Sequence, residues 1–152
     1  KGVSGILKAW ELHSKLFKKD ILNIIGNGSD KERLEKEFTY LENINWLGRM
    51  EPHQVHKEMI INDILIVNSR VETFSMVIGE ALERGLNVIS TPCIGPQSVY
   101  PALKSLIFRK TFSTKELIQS MQEIKAGTST IAFDQFREKN VSEELETWYL
   151  DK

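Results

Sequence analysis

Glu72 and Glu80 bracket the segment in which this chain concentrates its chemistry, Asn68-Ser69-Arg70-Val71-Glu72-Thr73-Phe74-Ser75-Met76-Val77-Ile78-Gly79-Glu80-Ala81. The segment follows Ile64-Leu65-Ile66-Val67, a continuous apolar run of the kind buried on both faces of a sheet, and passes into a helix that reads as beginning near Phe74 and running through Glu80 to Arg84. Glu72 then falls in the loop outside the strand's carboxyl end, with Glu80 about two helical turns later. Carboxylates accept hydrogen bonds from hydroxyl groups, so one suits a sugar and the other a ribose. The unpaired amides of the helix's first turn, from Thr73 to Met76, make a site for a phosphate or diphosphate. Sugar, phosphate and ribose would lie along one line.

Positive charge for such an anion has to be local. Twenty basic residues against 21 acidic ones leave a formal charge of −1 over 152 residues, which excludes a bulk field drawing the chain to nucleic acid or to an anionic membrane. His53 and His56 are spaced i, i+3 on a predicted helix, but no Cys or further His completes a metal site, and they read as a surface pair. The lone Cys93 excludes an internal disulfide and reads as inert. Gly26-Asn27-Gly28 lacks the third glycine of a dinucleotide fingerprint and reads as a turn. No apolar run approaches the ~20 residues of a membrane span, and the start Lys1-Gly2-Val3-Ser4-Gly5 carries no signal-peptide core.

The elements that must position these residues alternate along the chain. Residues 4 to 18 read as an amphipathic helix through Ile6, Leu7, Trp10, Leu12 and Leu16. Ile21 to Ile25 reads as a buried strand, followed by a helix capped by Ser29 or Asp30 and running through Leu34 and Phe38. Ile44 to Leu47 is a second strand, and Pro52 opens a helix carrying Val55, Met59 and Ile60. After the central segment, Gly85 caps the helix and Val88-Ile89-Ser90 forms a strand. Thr91 to Ala102 reads as a looser stretch, Leu106-Ile107-Phe108 as a strand, 113–125 as a helix, 126–130 as a linker and 131–152 as a helical tail. Such alternation predicts an α/β domain, a Rossmann-like parallel sheet with helices on both faces and ligands at the strands' carboxyl ends.

The pattern Glu-x-Phe-small-x-x-x-x-Glu followed by Ala-x-x-x-Gly-x-x-Val-Ile resembles the signature of the family 4, or group 1, glycosyltransferases. Lys1-Gly2, Ile24-Ile25-Gly26-Asn27-Gly28, Trp46-Leu47-Gly48-Arg49-Met50 and Asn62-Asp63-Ile64 to Ser69 are similar, in order, to further family motifs, so that the likeness runs from Lys1 to about Pro101. The resemblance implies the C-terminal, nucleotide-sugar-binding half of a GT-B fold, with the first strand and the N-terminal acceptor domain lying outside this chain. By position, Lys1 contacts the donor diphosphate, Glu72, the candidate catalytic residue, holds the transferred sugar, and Glu80 the ribose. Thr73, Phe74, Ser75 and Met76 present backbone amides, and the backbone at Arg49 and Met50 meets the base.

Such enzymes retain anomeric configuration and use no cofactor and no metal at the donor phosphates, and the chain contains no Asp-x-Asp. The implied partners are a nucleotide-diphosphate sugar and the chain's own N-terminal domain, without nucleic acid. The implied location is cytoplasmic, compatible with peripheral association of the full-length enzyme with a membrane in polysaccharide or glycolipid assembly. The fragment alone is expected to be inactive. Ser75 replaces the glycine commonest in the family, and Ile94-Gly95-Pro96 replaces a Gly-Gly pair. Two alternatives are a nucleotide-sugar 2-epimerase-like isomerase and a non-catalytic α/β interaction module.

Overall fold

The computed structural model describes residues 2–91, 93–100, 105–111 and 113–125; Lys1, the linker at 126–130 and the tail at 131–152 lie outside them. Along the chain come α1 (Val3–Leu16), β1 (Leu22–Ile25), α2 (Lys31–Glu37), β2 (Ile44–Gly48), α3 (Pro52–Ile61), β3 (Ile64–Ile66), α4 (Met76–Glu83), β4 (Asn87–Ser90), α5 (Ile94–Val99), β5 (Leu106–Phe108) and α6 (Thr114–Lys125). This is a Rossmann-like α/β fold in which every strand pairing is parallel.

Period-2 alternation explains why helices cover both faces. Val88 of β4 points into a core with Met59 of α3 and Ile78, Ala81 and Leu82 of α4, whereas the next residue, Ile89, points into a core with Ala9 and Trp10 of α1 and Leu117, Met121 and Ile124 of α6. Leu65 of β3 and Phe108 of β5 face the first layer, and Ile64, Ile66 and Ile107 face the second. A third cluster, Leu7, Leu34 and Phe38, fixes α1 and α2 against β1 and β2 through Leu22, Ile24, Ile44 and Trp46.

Where the sequence pattern implies one continuous sheet, the ladders form two sets, β1-β2 and β3-β4-β5. Main-chain pairing is interrupted between β1 and β3, and the two sets are joined there by side chains. Asn23 Nδ2 donates to Asn62 Oδ1 at 3.0 Å, and Leu22, Ile44, Ile64, Ile66, Ile89 and Ile107 share one apolar layer. The order runs β1 to β2 on one side of this break and β3 to β5 on the other, which makes it the point where the strand order reverses and where doubly wound folds bind ligands.

The second difference from the sequence reading is α5, a short helix within what reads as loop. Its six residues carry Pro96 and too little periodicity to signal a helix. Among the described residues, no helix is long and apolar enough to cross a membrane.

Away from the strand ends, α1 and α6 are tied by a charged cluster. His13, 1% exposed and stacked between Trp10 and Phe17, donates from Nε2 to Asp20 Oδ2 at 2.8 Å, and Lys125 Nζ donates to Asp20 Oδ1. Burial pulls the Asp20 carboxyl upward, but the hydrogen bonds and charges of Lys125 and His13 outweigh it and hold the group below its ordinary value. A depressed carboxylate contributes stability that is present above its unfolded value and is lost as pH falls through the folded one. Asp20→Asn is therefore expected to cost about 1–2 kcal/mol at neutral pH and to cost progressively less below pH ~4. Urea unfolding of both proteins from neutral to acid pH checks this, and a cost that stays constant would rule out the ionic tie.

Candidate functional site

The loop after β3 does not enter its helix where the sequence pattern places the start. The first turn of α4 begins at Met76 rather than Phe74, because Ser75 occupies the left-handed region at φ 57°, the one non-glycine residue among those described with positive φ. Thr73, Phe74 and Ser75 consequently precede the helix, and its free amides shift to Met76 and Val77. Ile78 N already donates to Ser75 O at 2.9 Å, and Gly79 N to Tyr100 Oη at 3.2 Å. Glu80 lies just over one turn into α4 rather than two.

Tyr100, 4% exposed, stabilises this unusual cap from the end of α5. Its hydroxyl donates to Ser75 O at 3.2 Å while accepting from Gly79 N. The start of α5 also presses on the loop. Cys93 Sγ lies 3.4 Å from Arg70 O and 3.6 Å from Ser69 O, so this thiol is a weak donor that helps hold the loop. A Cβ added at Gly95 would stand 2.1 Å from Thr73 O and 2.5 Å from Glu72 O. The glycine required at this position is therefore fixed by contact with the backbone that carries Glu72.

Glu72 is half-buried, and its carboxylate has no partner among the described residues. Glu80 is also half-buried, with His56 Nε2 of α3 3.8 Å from its Oε2. That proximity gives one member of the His53–His56 surface pair a partner. His53 is exposed, whereas His56 is half-buried and faces the Glu80 carboxylate. It also brings α4 beside the helix that follows Arg49 and Met50. These two residues sit at the carboxyl end of β2, Arg49 exposed and Met50 half-buried, after Gly48 at φ 70° and before the Glu51–Gln54 capping box of α3. Gly48 O accepts from Gly26 N at 2.6 Å, so the turns after β1 and β2 lie together.

The amino end of α1 reaches the same edge. Asn68 Nδ2 donates to Gly2 O at 2.7 Å, and a Cβ at Gly2 would lie 1.9 Å from Asn68 O. Only glycine, here at φ 31°, allows that approach. On its other side Asn68 Oδ1 accepts from Arg109 Nη2 at the end of β5. Lys1, the expected diphosphate contact, falls outside the described residues. The structure thus brings two helix amino ends, Glu72, Glu80 and the loop of Arg49 and Met50 to the strands' carboxyl edge. The roles of Asn68, Tyr100, His56 and Arg109 escape the sequence reading, since their signal is a long-range contact rather than a spacing.

The model of the family described as glycosyl transferases group 1 matches residues 1–140. The chain belongs to the group 1 glycosyltransferases. It is 30% identical over 114 residues to the lipopolysaccharide 1,6-galactosyltransferase of Salmonella typhimurium, covering 70% of this chain and 29% of that protein. It is 29% identical over 117 residues to a subunit of the human phosphatidylinositol N-acetylglucosaminyltransferase, covering 72% of this chain and 24% of that one. This group 1 chain therefore spans under a third of the length of these relatives. In fold it is similar to Anabaena HepE in complex with UDP (TM-score 0.70, 16% identity, 100% of this chain and 46% of that one). A UDP-GlcNAc 2-epimerase from Neisseria meningitidis bound to UDP-GlcNAc gives a TM-score of 0.68 at 14% identity, over 99% of this chain and 41% of that one, which is a likeness of fold alone.

Two substitutions check the local geometry of this group 1 site. Gly95→Ala has to displace the Glu72–Thr73 backbone and is expected to lower stability by about 1–3 kcal/mol. Ser75→Gly removes both a strained φ and a buried hydroxyl that has no partner among the described residues, and should leave stability unchanged or raise it by up to about 1 kcal/mol. Denaturant unfolding measures both, and a stable Gly95→Ala protein would mean that the loop is not held by this contact.

Proposed function

We propose that this chain is the donor-binding half of a retaining glycosyltransferase, of family 4 within group 1, that takes a sugar from a nucleotide-diphosphate donor. The observation that carries the reading is the convergence of the amino ends of α1 and α4 at one sheet edge, with Glu72 before the α4 cap and Glu80 one turn after it. The sugar-nucleotide bond breaks with negative charge accumulating on the departing nucleoside diphosphate. Amide donors and a helix dipole fixed at that place stabilise the charge without reorganisation.

In this arrangement Met76 and Val77 present amides to the diphosphate, joined by Lys1 beside Gly2. Glu72 positions the hydroxyls of the transferred sugar and Glu80 those of the ribose. The backbone at Arg49 and Met50 meets the base, one helix away from Glu80 through the His56 contact. With the charge held by amides and cations, the reading requires neither a divalent metal nor a cofactor. The acceptor and its general base come from a facing domain, so this chain is expected to bind donor and turn over little. A cytoplasmic enzyme of polysaccharide or glycolipid assembly, working beside a membrane, fits this chemistry. The likeness to relatives named for galactosyl and N-acetylglucosaminyl transfer supports it.

Ligand-detected NMR with uridine, guanosine and adenosine diphosphates and their sugar conjugates tests the reading. One base should be preferred, and Glu80→Ala should weaken that ligand about tenfold by removing hydrogen bonds to the ribose. Nucleoside diphosphates that bind no better than pyrophosphate, or a Glu80→Ala protein with unchanged affinity, would overturn the assignment.

A further inference from the structure

We propose that Arg109 is the buried cation of the phosphate subsite at the amino end of α1, acting through Asn68 as a positioning residue for the donor's phosphate. The proposal rests on the reading that a nucleoside diphosphate binds at this edge, and it assigns a residue that neither the sequence pattern nor the family signature includes.

Arg109 directly follows β5 and is 1% exposed, the largest fully buried side chain among the described residues. Its Nη2 donates to Asn68 Oδ1, but Nε and Nη1 have no partner among the described residues. None of the ion pairs among the described residues includes it. Among the described residues, Glu116 is the acidic residue whose charge reaches it. That carboxylate is engaged elsewhere, accepting at 2.7 Å from Lys110 N, Thr111 N and Thr111 Oγ1. Burying a guanidinium without a counter-charge is unfavourable, and structural buried arginines are normally paired.

The surroundings are rich in donors. Ser90, the last residue of the neighbouring strand β4, and Thr91 just after it are both 0% exposed, and their hydroxyls have no partner among the described residues. Arg109 N donates to Ser90 O at 3.1 Å, so the two strand ends are directly joined. Asn68 turns its amide toward Gly2 O and its carbonyl toward the guanidinium, placing one neutral side chain between a buried cation and the positive end of the 14-residue α1. Two positive features meet there, and among the described residues the side chain that bonds to both is the neutral Asn68. A tetrahedral oxyanion with several acceptor atoms is the ligand class that answers this field. Glutamine at this position would keep hydrogen-bonding capacity and lose the charge. Lysine would keep the charge and lose the planar fork.

The test is titration of the protein with pyrophosphate, with the three nucleoside diphosphates and with their parent nucleosides, followed by NMR, for Arg109→Gln, Arg109→Lys, Asn68→Asp and Glu80→Ala. Asn68→Asp sets a carboxylate against the guanidinium and neutralises it in place, so it probes the charge even where Arg109→Gln unfolds. Arg109→Gln and Asn68→Asp should each weaken pyrophosphate and the preferred diphosphate about tenfold while leaving the nucleoside unchanged, and Arg109→Lys should recover most of the loss. A purely structural arginine would lower the unfolding midpoint without this selectivity for charge. Unchanged pyrophosphate affinity in Arg109→Gln or Asn68→Asp, with Glu80→Ala still weakening the nucleotide, overturns the proposal and leaves the donor reading intact. Pyrophosphate binding that depends on Arg109 but shows no preference for a nucleotide does the reverse, and a protein that binds neither ligand overturns both.

Discussion

Parallel strands cannot be joined by a hairpin, so each strand in this chain must be followed by a crossover, and each crossover helix returns the chain to the same starting edge. The consequence is that the turns after β1 and β2 lie together, as do those after β3, β4 and β5. Residues far apart in sequence, such as Gly2, Asn68 and Arg109, become neighbours at that edge for reasons unconnected with their own chemistry. The apolar alternation of β3, β4 and β5, which feeds two helical layers at once, supplies the stability that lets polar groups gather at the edge.

The break between β1 and β3 follows the same logic. On one side of it the chain builds outward through β2, and on the other through β4 and β5, so successive crossovers diverge and leave room between their loops. Side chains replace main-chain pairing there, with Asn23 and Asn62 as the polar link and a shared layer of leucine and isoleucine beneath. The amino end of α1 enters beside β3 against Asn68, and α3 lies beside α4 through His56 and Glu80. The candidate site residues are therefore spread over both sets of strands.

Much of this is legible in the sequence because burial imposes a period. Ile64 to Val67 and Val88 to Ser90 announce strands through β-branched runs, and the first helix through its 3.6-residue spacing. What fails to show is contact that has no period. Nothing near Tyr100 signals that its hydroxyl will bridge Ser75 and Gly79, and nothing near Arg109 marks it as buried, since a lone arginine after a strand is usually solvated. The true start of α4 is hidden for a related reason. Ser75 has ordinary helix-cap character, so its left-handed φ, forced by the packing of Tyr100 and of Gly95 against the preceding loop, is invisible to local propensity.

That strained turn and the buried guanidinium are opposite uses of the same scaffold. At Ser75 the fold holds a backbone in a conformation it would not choose, and the effect is to start α4 at Met76, with Glu72 in the loop ahead of it. At Arg109, just past β5, no strained φ is seen and the stored cost is electrostatic, a charge kept from water with donors unpaired among the described residues. Burial pushes that guanidinium below its ordinary value, with Glu116 opposing the shift from a distance, yet an arginine remains protonated under any condition in which the fold persists. The scaffold thus presents a fixed positive charge in a low-dielectric setting, where it acts over a longer range than it would at the surface. Strain sets the local geometry at the start of α4, and buried charge sets the field at the end of β5.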